Sequence, residues 1–169
     1  ALMRSQRDFH LGDEVLMRPG GDCEASVEMD ADGARLRVGE MVYHLAIVPP
    51  GVTLAESTAR LLREFAGAGG AVLALDPAPT CIEGLPAPEA LPPGTRMVDL
   101  AGLAGALDEL LPFDARVEGR PDVWVHHRRD ADMDLYFLAN TSLEIGGAAR
   151  VRLRGAGGLE RWDLVSGAV

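Results

Sequence analysis

Cys81, the adjacent pair His126 and His127, and the acidic runs EMDADG and RRDADMD are the places where this sequence could do chemistry. A cysteine nucleophile works from a sharp strand-to-helix elbow, with small residues around it and a helix N-terminus behind it. Cys81 sits instead in PAPTCIEGLPAP, without glycines at the flanking offsets and with no helix pattern after it. No Glu stands two places after His10, His44, His126 or His127, so a His-x-Glu base and orienter are missing as well. A loop cysteine is the expectation, not an activated Cys–His nucleophile.

EMDADG places Glu28, Asp30, Asp32 and Gly33 at the opening offsets of a calcium loop. The twelfth position is Gly39, with Glu40 one place late, and strand-like segments stand where helices should flank it. The run is expected to be a hairpin tip. RRDADMD, with Asp130, Asp132 and Asp134 at alternate positions but no later Gly or Glu, is expected to be a turn too.

His126 and His127 are neighbours on a strand-like segment and must point to opposite faces, so they cannot chelate one metal together. Structural histidines are the expectation, with a single-ligand or sugar-contact role as the alternative. Trp124 and Trp162 offer flat rings to a sugar, but packing is their first expected use. GAGGAV follows a helix pattern and precedes a strand pattern, the reverse of the order that aims backbone N–H groups at phosphate, so it is expected to stop a helix. Glycoside hydrolysis needs two carboxylates facing one bond. None of the 26 acidic residues lies alone in an apolar run where burial would raise its pKa, so no acid/base pair is assigned. The residues themselves predict no catalytic, cofactor-binding or metal-binding set.

Bulk properties narrow the partners. Sixteen basic residues against 26 acidic ones give a net charge of -10, which repels a phosphate backbone and argues against nucleic acid. Cys23 and Cys81 are too few for a disulfide framework, although one disulfide stays open. No apolar run approaches the roughly 20 residues that span a bilayer, and residues 1–9 contain no signal-peptide core. We expect the chain to be a piece of a longer protein.

The elements that must position any site follow from periodicity. The first twenty residues predict a short helix around Val15, Leu16 and Met17, ending near RPGG. EASVEM and ARLRVG around DADG predict an antiparallel ribbon. Val42, Leu45, Ala46, Ile47 and Val48 form a nearly continuous apolar run, as in a parallel strand covered on both faces. Thr53 followed three residues later by Glu56 predicts a capping box. Leu54, Thr58, Leu61, Leu62 and Phe65 form one helical stripe, with Glu56, Arg60, Arg63 and Glu64 opposite. Gly67, Gly69 and Gly70 supply its stop, and AVLAL is a second buried strand, completing a βαβ unit.

Residues 76–96 carry six prolines and are expected to be a long loop. RMVDL predicts a strand, Asp99 a helix N-cap, and Leu100, Leu103, Ala104, Leu107, Leu110 and Leu111 a second helical stripe. Beyond Val123 the period becomes two: VWVHHRR and MDLYFLAN are joined by Asp130-Ala131-Asp132, AARVRLRG is a third strand and LERWDLVSG a fourth. The expected fold class is therefore α/β, a flavodoxin-like or class I glutamine-amidotransferase-like parallel sheet with helices, followed by antiparallel β strands. The α/β domain is placed at residues 1–120 and the antiparallel segment at 121–169.

MVYHLAIVPPGVTLAESTARLLREFAGAGGAVLAL resembles a stretch of the amidotransferase-like domains embedded in large glycoside hydrolases. These include the trimerisation domain of β-galactosidases and the α-L-rhamnosidase-like hydrolases of glycoside hydrolase family 106. His127, Arg128, Tyr136, Phe137, Asn140, Glu160, Trp162, Asp163 and Gly167 are similar to the rhamnosidase-like pattern, with Leu164 where Pro is commoner. The resemblance covers most of residues 9–167. It implies an accessory piece of a bacterial carbohydrate-active enzyme, lying after the catalytic barrel and opening a β-sandwich. Its partners would be those parts of the parent enzyme, with a homo-oligomer admitted. The resemblance also implies export. The main catalytic carboxylates would lie in the barrel, leaving an auxiliary role at the substrate cleft to Asp13, Glu14, His127 and Arg128. Two other readings compete: a small-molecule or sugar-binding module using the crevice at Pro49–Gly51 and Asp76–Thr80, and, last, a free-standing amidotransferase-type hydrolase.

Overall fold

A computed structural model describes residues 2–130 and 132–168. The fold is a mixed α/β one with few helices and many strands, and it separates into two compact units. One is Phe9–Pro112; the other joins Leu2–Asp8 to Phe113–Val169. The compact units divide after Pro112, whereas the expected domains divide after residue 120, because Ala115–Val117 pairs with Val151–Leu153 and ties residues before 120 to the later strands.

The first unit opens with α1 (Glu14–Met17), then β1 (Ala25–Asp30), β2 (Gly33–Val38) and β3 (Met41–Tyr43), an antiparallel meander. Asp30 pairs with Gly33, so the hairpin loop is Ala31 and Asp32, and Gly33 takes the positive φ of +117°. The expected single strand over 42–48 is two strands. Tyr43 pairs antiparallel with Leu36, whereas β4 (Leu45–Val48) pairs parallel with a later strand. The chain changes sheets at His44, a step that apolar content alone does not mark.

After β5 (Thr53–Leu54) comes α2 (Glu56–Gly67), which buries Ala59, Leu61, Leu62 and Phe65. Full burial of a side chain such as Phe65 contributes about 1.5–3 kcal/mol. At the helix end Gly69 N–H donates to Ala66 O and Gly70 N–H to Phe65 O, the double bond of a Schellman turn, with Gly69 at φ +92°. β6 (Ala71–Leu75) follows as the central strand of a three-stranded parallel sheet, between β4 and β9 (Arg96–Val98).

The proline-rich stretch is not all loop. β7 (Cys81–Ile82) and β8 (Leu85–Pro86) form a tight hairpin that joins β5, with Pro86 at the end of an edge strand where no ladder N–H is required of it. α3 (Leu103–Leu110) starts later than expected, with Gly102 as its N-cap. Asp99 accepts the Gly102 N–H in a preceding turn, and Leu103, Ala106 and Leu107 are the buried positions.

The second unit contains β10 (Ala115–Val117), β11 (Val123–Asp130), β12 (Met133–Asn140) and β13 (Val151–Leu153). β11 and β12 form an antiparallel hairpin whose expected turn residue Ala131 lies outside the described residues. LERWDLVSG is not a strand: it runs through irregular structure and a turn, with Leu159 82% and Val165 98% exposed. A strand needs a ladder partner for its backbone groups, and no neighbouring strand supplies one among the described residues.

Charge is divided unevenly. The first unit holds six arginines against sixteen carboxylates, the second ten against ten, so the first carries the whole net charge of -10. Among the described residues no helix is long and apolar enough to cross a membrane.

Candidate functional site

In the first unit the place to look is the carboxyl end of the parallel strands, where open α/β sheets receive ligands. Here β4 leads into Pro49–Gly51 and β6 into Asp76–Thr80, through a cis Asp76–Pro77 bond. The two loops hydrogen-bond each other: Gly51 N–H donates to Pro77 O at 3.0 Å, and Thr80 and Cys81 N–H both donate to Val52 O at 3.1 and 3.0 Å. The loops are joined rather than splayed.

The first amides of α2 point into this region, and the chain's own carboxylates take them. Ala55 N–H donates to Glu14 Oε1 and Glu56 N–H to Glu83 Oε1, both at 2.9 Å. The expected capping box of Thr53 and Glu56 is absent. Pairing of β5 with β7 holds Thr53 in a strand, where its Oγ1 accepts the Gly84 N–H at 2.9 Å, and Ala55 becomes the N-cap. Two remote carboxylates then do what a local hydroxyl would have done, and their charge suits the positive end of the helix dipole. Glu83 reaches its position from a positive φ of 50°, set by the β7–β8 turn.

Asp13 caps α1, its Oδ1 accepting from Val15 and Leu16 N–H at 2.8 and 3.1 Å. Asp13 and Glu14 therefore each hold a helix start. Cys81 lies on a strand opposite Pro86, not at a strand-to-helix elbow, and both cysteines are free thiols. The carboxylates of EMDADG are engaged by arginine: Glu28 with Arg37 at 2.5 Å, and Asp30 with Arg35 at 2.9 Å. Arg35 is only 7% exposed, a buried cation the hydrophobic pattern gave no sign of. Arg37 beside Glu28 holds that carboxyl below its usual range.

In the second unit one face of the β11–β12 hairpin carries His127, Arg129, Asp134 and Tyr136. His127 is opposite Tyr136 in the ladder, and directly opposed residues share a face. Its Nε2 is 2.8 Å from Asp134 Oδ1 and its Nδ1 3.5 Å from Asp114 Oδ2, while its backbone N–H donates to Asp8 Oδ2 at 2.7 Å. Arg129 Nε donates to the same Asp134 oxygen at 2.9 Å. His127 and then Arg129 hold the Asp134 carboxyl below the usual carboxylate range, while burial pushes the Tyr136 phenol up. Tyr136 O–H donates to the Arg154 carbonyl. Every polar atom of the imidazole is thus tied to a neighbouring element.

Arg128 and His126 point to the opposite face with Trp124, across from Leu135, Phe137 and Ala139. The four residues with an expected auxiliary role therefore fall as two sequence-adjacent pairs, Asp13 and Glu14 in the first unit and His127 and Arg128 in the second. Each pair is split between different local environments.

No family model, curated protein or solved structure matches this chain.

One polar residue of the second unit escaped the sequence reading altogether. Gln6, buried and at φ +55°, accepts the Val117 N–H at 2.8 Å and donates to the carbonyls of Val117, Arg120 and Val123 at 3.4, 3.1 and 3.2 Å. It joins the N-terminal segment to β10 and to the entry of β11. Its partners are more than a hundred residues away, so no local pattern announces it. Among the described residues no three His, Cys, Asp or Glu side chains gather to hold a metal ion.

Proposed function

We propose that the chain is a non-catalytic accessory domain of a bacterial carbohydrate-active enzyme, a flavodoxin-like or amidotransferase-like core with an attached antiparallel unit. Its work is mechanical: covering a catalytic barrel, orienting a β-sandwich, or carrying contact between subunits. The observation that carries this reading is the occupation of the α2 N-terminus by Glu14 and Glu83. In α/β proteins that end of a helix is where an anionic ligand is held by backbone N–H groups. Here two side chains of the protein hold it, and the flanking loops bond to each other. His127, Asp114 and Asp134 likewise serve one another. The parent enzyme class comes from the resemblance of residues 41–75 and of the positions from His127 to Gly167.

The test is turnover by the chain on a panel of aryl glycosides. No hydrolysis above background is expected. Hydrolysis that Cys81→Ala or a carboxylate substitution abolishes would overturn the reading. Calorimetry against sugars and nucleotides is expected to show no saturable heat; a saturable isotherm would instead favour a binding module at the Pro49–Gly51 crevice.

A further inference from the structure

We propose that the outer edge of β12 is an interface through which two copies of this chain pair, antiparallel, about a two-fold axis at Tyr136. In an antiparallel hairpin, opposed residues alternate between pairs that exchange both backbone hydrogen bonds and pairs that turn those groups outward. His127 fixes the phase, because its N–H leaves the ladder for Asp8 Oδ2. The His127–Tyr136 pair is therefore of the outward kind, and so are the pairs two residues away in each direction. It follows that Asp134, Tyr136 and Leu138 direct their N–H and C=O groups away from β11. No hydrogen bond meets those groups among the described residues, and β12 has β11 as its one ladder neighbour there.

An open edge of this length is a template for another strand unless the sequence guards it. β12 reads MDLYFLAN, with no proline and no lysine. Its one charge, Asp134, is engaged by His127 and Arg129. The face bearing Trp124, Leu135 and Phe137 is exposed as well, at 42%, 37% and 49%.

The occupant follows from register and charge. Placing Tyr136 opposite Tyr136 of a second copy matches outward groups with outward groups and sets Leu135 against Phe137 of that copy, twice by symmetry. Aromatic–aliphatic cross-strand pairs of this sort are favourable. Shifting the register by one residue would oppose outward groups with inward ones and forfeit the ladder. Because the second unit balances ten arginines with ten carboxylates, its copies do not repel one another. Repulsion comes from the first unit, so added salt should strengthen the pairing. The inference is independent of the parent enzyme class.

Sedimentation equilibrium of the full chain at high micromolar concentration is the test. Twice the 17.9 kDa chain mass is expected, with a dissociation constant that falls as salt is raised. Leu135→Lys and Phe137→Glu are each expected to run as monomers with unchanged far-UV circular dichroism. Mixed, they should form a one-to-one heterodimer, since the ammonium introduced in one would face the carboxylate introduced in the other. A monomeric wild-type chain overturns the proposal, as does persistence of the dimer in both single variants. Should either variant fail to fold, Leu138→Pro provides a second disruption, because the N–H it removes is an outward one that the ladder with β11 does not use.

Discussion

The imidazole of His127 lies flat against the phenol ring of Tyr136, with ring centroids 4.3 Å apart and planes 6° from parallel. The ladder sets the two residues opposite each other, and Asp134 completes the arrangement by bonding the imidazole from the same strand as Tyr136. Asp134 has its pKa lowered from the ordinary 3.8, first by His127 and then by Arg129. A carboxylate with a depressed folded-state pKa contributes stability that is full above its unfolded value and is lost as pH falls through the folded one. Acidification from about pH 4 downward should therefore weaken this unit. Asp134→Asn should flatten that acid limb of the unfolding curve, followed by tryptophan fluorescence. A limb equally steep in the variant would mean that the interaction contributes nothing.

Gln6 makes four hydrogen bonds to the backbone of residues 117–123. Gln6→Ala leaves a buried N–H and buried carbonyls without their partner and should cost about 1–3 kcal/mol in urea unfolding. Gln6→Glu should be at least as costly, because a carboxylate cannot donate to the three carbonyls the amide now serves.

Removing the remote caps of α2 should loosen the helix start. Glu14→Ala and Glu83→Ala should each cost about 0.5–2 kcal/mol, the range for lost N-caps. The double variant should cost less than the sum, since both act on adjacent amides of one helix turn. Amide hydrogen exchange at Ala55 and Glu56 is the direct readout: each variant should speed exchange at its own amide first.

Two neighbouring glycines should respond differently to alanine. A Cβ on Gly70 would stand 2.3 Å from the ring of Phe65, in the centre of the core, whereas Gly69 has open space but a positive φ. Gly69→Ala should cost about 1 kcal/mol from backbone strain. Gly70→Ala should cost more, because the buried ring must move or the strand entry must shift. Thermal unfolding of the two variants side by side checks the order.

Much of this fold is written in short-range pattern. The Asp30–Gly33 hairpin, the Leu61, Leu62 and Phe65 stripe, the glycine stop and the AVLAL strand all follow from periods of two or 3.6 and from turn residues within a few positions. What was not legible depends on partners distant in sequence. Thr53 has the local look of a cap, but β7, almost thirty residues on, makes it part of a strand. The apolar run at 42–48 does not reveal that one half pairs with β2 and the other with β6. Glu14 and Glu83 are acceptors for α2 only once the chain has folded, and Gln6 waits on residues 117–123. LERWDLVSG shows the converse, a strand-like pattern without a ladder to enter.

The uneven division of charge gives the two halves of the molecule different responses to their medium. Sixteen carboxylates crowded against six guanidinium groups make Phe9–Pro112 a polyanion held compact against its own field, while the rest is electrically balanced. Raising ionic strength through the range where the Debye length shrinks from about 30 to 10 Å should lift the melting of the first and leave the second nearly unmoved. Brine and fresh water would thus reset the order in which the halves give way.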